Sequence, residues 1–120
     1  MIVRLSDEAK AELAALRGID EMVAAGVDAC LEMLALDYDT LEAESEAGFS
    51  IESVVGLKEQ RKADVFRVKY EEFIPSLRII FLRLRGGPYV TGIHNRGDLY
   101  DPLKEPLVRA MRYWGRRQHL

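Results

Sequence analysis

The chain of 120 residues, with a mass of 13.6 kDa, has the size of one domain, so we expect residues 1–120 to share one hydrophobic core. Its 48% hydrophobic and 31% charged residues are typical of a folded protein and exclude a disordered tail. No apolar run approaches the ~18–20 residues of a membrane span, and the first residues do not follow the signal-peptide pattern. Cys30 is the single cysteine, which excludes an internal disulfide and a cysteine-rich zinc cluster. We expect a cytoplasmic protein with no membrane partner.

The two halves of the chain carry opposite charge, although the net charge is only −3. Residues 1–60 hold 4 lysines and arginines against 14 acidic residues, a balance of −10, whereas residues 61–120 hold 13 against 6, a balance of +7. A basic region of this kind suits a polyanion or an acidic protein partner. The opposite charges are equally consistent with two halves of the chain that attract each other.

The first half of the chain predicts a short strand and two helices. The β-prone stretch Ile2–Leu5 precedes Ser6, which can cap a helix that ends near Gly18. Asp20 can cap a second helix, whose apolar residues recur at helical spacing. That stripe consists of Val23, Val27, Cys30, Leu31, Leu34, Tyr38 and Leu41. Cys30 is therefore expected in the core, and the helix is expected to stop within the polar stretch that ends at Gly48.

The second half predicts three strands and a last helix. Period-two alternation marks Val65–Tyr70, and Leu77–Leu84 and Tyr89–Arg96 are apolar or β-prone. The Arg85–Pro88 segment is typical of a hairpin turn, so the three strands should form an antiparallel meander. Lys104–Gly115 predicts a helix with a stripe of Leu107, Met111 and Trp114. The expected fold is α+β, in the order β-α-α-β-β-β-α, with the helices packed on one face of a small antiparallel sheet.

Strand alternation predicts a cluster of polar side chains on one face of this sheet. Arg78 should point with Ile80 and Leu82, on the same side as His94 and Arg96, and Tyr100 follows at the strand's end. Guanidinium groups match phosphate oxygens and stabilise charge that develops on them, while imidazole and phenol groups can transfer protons. Because no cluster of metal ligands accompanies them, this set favours phosphodiester chemistry without a metal or another cofactor.

The same residues also have structural interpretations. A single histidine on a strand is more often a hydrogen-bonded structural residue than a catalyst, and strand arginines often lie along the sheet with their charged ends in water. Tyr100 can be an ordinary residue at the rim. The stripe of the last helix is then packing, and Arg112, Arg116 and Arg117 form a solvated basic face.

Three segments resemble the RelE/ParE superfamily of toxins from bacterial type II toxin–antitoxin systems. They are FRVKY at 66–70, LRIIF at 77–81 and IHNRGDLY at 93–100, and residues 1–16 resemble the family's opening strand and helix. The resemblance implies a RelE-like fold, a cognate antitoxin, and entry into the ribosome. There such toxins cleave mRNA by attack of a ribose 2′-hydroxyl on the adjacent phosphate.

Position by position, the resemblance implies a catalytic set and an RNA-binding set. Arg78 matches a stabiliser of the transition state, His94 a general acid or base, and Arg96 and Tyr100 the basic and aromatic residues of the last strand. Arg67 matches an RNA contact. The basic residues before that strand, Lys58, Arg61 and Lys62, are implied to bind RNA as well.

The alternative is a protein of the same fold that binds without catalysis, such as a ParE-like inhibitor of DNA gyrase or a phage or host interaction protein. Such a protein is expected to depend on the basic last helix, at Arg109, Arg112 and Arg116. The placement of the catalytic set separates the two. A solvent-open cluster favours the nuclease, whereas dispersed or buried residues favour the binding protein. Arg78 itself is not expected to contribute to the core.

Overall fold

The computed structural model describes residues 2–36, 49–54, 62–97 and 105–120. Within these ranges it contains five strands, three α-helices and a short 3₁₀ helix at Arg117–His119. The strands are β1 (Arg4–Leu5), β2 (Phe49–Ser53), β3 (Val65–Tyr70), β4 (Leu77–Leu84) and β5 (Gly87–Asn95). The helices are α1 (Asp7–Ile19), α2 (Glu21–Leu36) and α3 (Glu105–Gly115).

The five strands form one mixed sheet in the order β1-β5-β4-β3-β2. Strand β1 runs parallel to β5, and the other neighbouring pairs are antiparallel. The predicted α+β class and the predicted meander of β3, β4 and β5 are therefore confirmed, and the bounds of β3 and β4 agree with the prediction residue for residue. Strand β5 starts at Gly87, whose positive φ of 119° is a backbone conformation that glycine adopts readily.

Helices cover both faces of the sheet, so the prediction that they pack on one face is wrong. One face carries Phe66, Ile79 and Phe81, and packs against the apolar sides of α1 and α2. The opposite face carries Ile80 and Leu82, and packs against helix α3. Consecutive residues of β4 thus belong to different clusters, as the pleat requires. Burial on both faces also explains why β4 is almost continuously apolar.

Two further details differ from the sequence prediction. Strand β2, at Phe49–Ser53, was not predicted, yet it pairs with β3 along its full length, from Phe49 opposite Tyr70 to Ser53 opposite Phe66. The buried side of α3 is also rotated from the predicted stripe. Leu107, Met111 and Trp114 are half-buried, and the residues of α3 that are buried are Pro106, Arg109, Ala110 and Tyr113.

The helix starts agree with their predicted caps. The Ser6 hydroxyl accepts a hydrogen bond from the Ala9 amide at 3.1 Å, and the Asp20 carboxylate accepts one from the Val23 amide at 3.2 Å. Cys30 is buried as expected, and burial raises the pKa of its thiol to about 12. Tyr38 and Leu41, the predicted end of the α2 stripe, lie outside the described residues. No helix in the described ranges is long and apolar enough to cross a membrane.

Candidate functional site

Arg78 and His94 lie directly opposite each other on strands β4 and β5. Opposed residues of neighbouring strands project to the same face, so the expectation that this pair shares one face with Ile80 and Leu82 is confirmed. Arg67, opposite Ile80 on β3, belongs to that face too. The sheet therefore brings together three of the side chains that the sequence selected.

Arg78 is buried within the sheet and held by internal partners. Only 2% of its surface is exposed, and it is the largest fully buried side chain of the described residues. Its Nη1 donates to the Leu77 carbonyl at 2.8 Å and its Nη2 to the Glu71 carboxylate at 3.0 Å. The expectation that Arg78 does not contribute to the core is therefore wrong. The long aliphatic stem of an arginine fills space that the sequence pattern alone does not assign to it.

His94 is packed over the backbone of Gly92. A Cβ atom at Gly92 would lie 1.9 Å from the His94 Nε2, so only glycine leaves room for the imidazole at this position. The ring is 8% exposed, and its Nδ1 lies 3.7 Å from the Glu12 carboxylate of helix α1. Glu12 in turn accepts a hydrogen bond from the Ile93 amide at 3.1 Å. His94 is thus built into the junction between β5 and α1.

Arg67 and the other predicted site residues form contacts of their own, are exposed, or lie outside the described ranges. Arg96 follows the last residue of β5 and is exposed. Its backbone amide donates to the Ser76 carbonyl at 2.9 Å, and it lines a shallow cavity with Pro75 and Ser76. Arg67 donates twice to Glu52 of β2, at 2.8 and 3.0 Å. Lys62 is exposed, and the residues outside the described ranges are Lys58, Arg61 and Tyr100.

A network of ion pairs around Arg109, which the sequence did not predict, joins helix α3 to α1 and to the edge of β5. We call Arg109, Glu8, Glu12 and Glu105 the Arg109 cluster. Strand β1 pairs with β5 at Tyr89 and Val90. The next carbonyl group along β5, that of Thr91, accepts a hydrogen bond from the Arg109 Nη1 at 3.1 Å.

Arg109 is 6% exposed and forms ion pairs with all three carboxylates of the cluster. The distances are 2.8 Å to Glu12, 2.6 Å to Glu105 and 3.2 Å to Glu8. The expectation that Arg109 belongs to the binding surface of the last helix is therefore wrong. Its partners on α1 are distant in sequence, and only the fold brings them close.

The Arg109 cluster changes the acidity of its members and neighbours. The hydrogen bond from Arg109 lowers the pKa of Glu105. The Tyr113 hydroxyl donates to Glu8, and this bond together with burial raises the pKa of Tyr113. Such a network of charged hydrogen bonds fixes the position of α3 on the sheet. The described residues contain no group of three or more histidine, cysteine or carboxylate side chains that could hold a metal ion.

Comparisons of this chain with protein-family models, with curated proteins and with solved structures find no match. A functional assignment therefore depends on the fold and on the contacts of the described side chains. Chemically, the sheet face presents one imidazole beside a carboxylate, and an arginine whose hydrogen bonds are directed to the protein itself. Neither Arg78 nor His94 offers an open surface to a substrate.

Proposed function

We propose that this chain is a toxin-like protein of the RelE/ParE type that acts by binding a macromolecular partner without cleaving RNA. The described elements follow the order that the resemblance implies, with strand β2 inserted before the meander, and this supports the RelE-like part of the proposal. Its proposed partners are a cognate antitoxin and a protein target such as DNA gyrase.

The burial of Arg78 is the observation that carries this proposal. An arginine that stabilises phosphodiester cleavage must direct its N–H groups at the non-bridging oxygens of the scissile phosphate. In Arg78 these groups donate to Glu71 and to the backbone of Leu77, and 2% of its surface is exposed. A phosphate would have to displace these partners and open the sheet face. His94, at 8% exposed, is similarly enclosed.

The outer face of α3 provides a surface for a partner. Val108, Arg112 and Arg116 follow one another at intervals of four residues and so lie on one side of the C-terminal segment. Val108 is 54% exposed, and both arginines are exposed. Arg112 also contacts Glu8 at 2.6 Å. An exposed apolar side chain flanked by cations fits an acidic protein surface with an apolar residue at its centre.

A second candidate is the metal-independent endoribonuclease, with the ribosome and mRNA as partners. The observation that favours it is the direct cross-strand pairing of Arg78 with His94, on the face that also carries Arg67. In that mechanism Arg78 and Arg96 would stabilise the phosphate charge, and His94 or Tyr100 would transfer protons.

Controlled expression of the chain in a bacterium separates the two candidates. Growth is followed after induction, and primer extension on ribosome-bound mRNA reports cleavage. We expect growth arrest without mRNA cuts, and we expect the arrest to persist in His94→Gln and Tyr100→Phe at matched soluble protein. The double variant Arg112→Ala/Arg116→Ala should relieve the arrest, whereas Arg17→Ala, which removes an exposed arginine of α1, should not.

Two outcomes would contradict the proposal. mRNA cuts that appear with the wild type and disappear in His94→Gln or Tyr100→Phe would assign the nuclease instead. Full growth with verified soluble wild-type protein would remove the toxin-like assignment altogether.

A further inference from the structure

A basic cleft lies where the turn between β4 and β5 meets β1 and the segment that follows α3. Its volume is about 740 Å³, and it is lined by Arg4, Arg83, Arg85, Arg117 and the indole of Trp114. Leu84 lines the cleft and lies at one end of β4, whereas Arg78 lies near the other end. At the usual rise of a strand, the cleft is therefore about 20 Å from the Arg78–His94 pair. The two regions are therefore independent of each other.

The positive charge of this cleft is only partly compensated within the described residues. Arg83 pairs with Asp64 at 3.3 Å and Arg4 donates to an oxygen of Leu120, whereas Arg85 and Arg117 form no ion pair with any side-chain carboxylate of those residues. Four guanidinium groups around one concave surface repel each other unless an anion lies between them. The arrangement thus favours the binding of a multiply charged anion.

Two of the arginines, Arg117 and Arg4, are also held in place before any ligand binds. The Arg117 guanidinium lies 4.2 Å from the centre of the Trp114 ring, and its Nη1 donates to the Trp114 carbonyl at 2.8 Å. The Arg4 guanidinium lies 5.3 Å from the centre of the Tyr89 ring, and its Nη1 donates to a main-chain oxygen of Leu120 at 2.5 Å. Side chains that are ordered in advance lose less conformational entropy on binding.

We propose that this cleft binds a nucleoside di- or triphosphate. Arginine matches phosphate oxygens with two parallel hydrogen bonds, and several arginines in a small volume suit the concentrated charge of a polyphosphate better than the spaced carboxylates of an acidic peptide. Most of the remaining wall is apolar and includes an indole, which suits the flat apolar faces of a nucleobase, and the Gln118 amide can bond the hydroxyl groups of a ribose. The cleft also falls within the ~300–1,000 Å³ range of small-molecule sites. The apolar lining consists of Ile2, Leu84, Trp114 and Leu120.

The single tryptophan of the chain makes the proposal directly measurable. Because Trp114 lines the cleft and is the only tryptophan, its fluorescence reports on this site alone. We expect ATP and GTP to change that fluorescence in a saturable way, and to bind more tightly than tripolyphosphate or adenosine. Arg85→Ala should weaken ATP binding about tenfold or more, the effect of losing one charge-assisted contact.

A second variant and a control complete the experiment. Arg117→Ala should weaken ATP binding to a similar extent, measured by calorimetry because Arg117 contacts the indole itself. Arg17→Ala, which removes a distant exposed arginine, should leave the affinity unchanged. Equal affinity for ATP and tripolyphosphate would overturn the nucleoside assignment. The site itself would be overturned by the absence of saturable binding, by an equal loss in Arg17→Ala, or by tighter binding of a hexaglutamate peptide.

Discussion

The arginines of this protein fall into two groups with opposite surroundings. Arg78 and Arg109 are buried, and every contact that holds them is made to carboxylates or carbonyls of the chain itself. Arg85 and Arg117, in the basic cleft, are exposed and have no carboxylate partner among the described residues. The comparison shows that an arginine's place in a strand or helix does not reveal its role. Its partners do.

The physical reason lies in the cost of removing a charge from water. A buried guanidinium must be compensated by carboxylates and hydrogen-bond acceptors, and such an arginine is committed to the fold. An exposed guanidinium remains hydrated, and an external anion can bind it without breaking an internal network. We therefore assign Arg78 and Arg109 to structure and the cleft arginines to ligand binding.

The largest expected effect is that of Arg109→Ala. This change leaves Glu12 and Glu105 without their common cation, and we expect the free energy of unfolding to fall by about 3 kcal/mol. The expected loss lies at the lower end of the free energies measured for broken buried ion pairs, because the Glu105 carboxylate can be hydrated again. Urea unfolding measures the loss. Arg85→Ala serves as the matched control and should stay within about 0.5 kcal/mol of the wild type. Equal effects of the two changes would contradict the division into two groups.

Arg78→Ala is expected to cost about 2 kcal/mol. The change removes a buried side chain together with its hydrogen bonds to the Leu77 carbonyl and to Glu71, but Glu71 is exposed and can return to water. The loss should therefore be smaller than that of Arg109→Ala under the same urea unfolding conditions. An unchanged unfolding midpoint would show that the Arg78 side chain is not packed into the sheet face.

The pair of glycines Gly92 and Gly18 tests the packing of His94. A Cβ at Gly92 would collide with the imidazole, whereas at Gly18 of α1 a Cβ meets nothing within 4 Å. Gly92→Ala should therefore destabilise the protein by about 1–3 kcal/mol, and Gly18→Ala should stabilise it by about 0.5–1 kcal/mol through better helix propensity. Combining Gly92→Ala with His94→Ala should cost less than the sum of the two single changes. Additive losses would argue against direct contact.

Much of the sheet was predictable because its pattern is local. The alternation in Val65–Tyr70, the apolar run Leu77–Leu84 and the capping residue Ser6 each depend on a few neighbouring residues, and each is confirmed. Strand β2 was missed because its five residues follow a polar stretch and alternate only briefly. Its pairing with β3 is a tertiary contact, which periodicity does not reveal.

The candidate site, like the sheet, was predictable only where it depends on local pattern. Strand phase correctly placed Arg78 and His94 on one face, since that phase is a property of each strand. The carboxylate partner of Arg78 is Glu71, which lies in the turn before β4. The burial of Arg109 depends on the packing of helix α3 against the second face and on carboxylates of α1 that are far away in sequence. The partners Glu8 and Glu12 are separated from Arg109 by about a hundred residues in the chain. No spacing rule links such residues before the fold is known.

A change of pH is expected to have a smaller effect on the stability of the protein. The pKa of Glu105 is lowered from its ordinary value of 4.5 by the hydrogen bond from Arg109. Its ionised form therefore contributes stability above pH 4.5, and this contribution disappears as the pH falls through the lowered pKa. Glu105→Gln should be less stable than the wild type at pH 7, and the difference should vanish in acid. Thermal unfolding of both proteins between pH 3 and 7 checks this, and a constant difference would contradict the coupling to Arg109.

The most direct test of the division between the two groups is the chemical reactivity of the arginines in the folded protein. Phenylglyoxal modifies accessible guanidinium groups, and peptide mass spectrometry identifies the modified residues. We predict rapid modification of Arg85 and Arg117, protection of Arg78 and Arg109, and loss of that protection in denaturant. Modification of Arg78 in the native protein as fast as that of Arg85 would contradict the account, because it would place that guanidinium within reach of a phosphate.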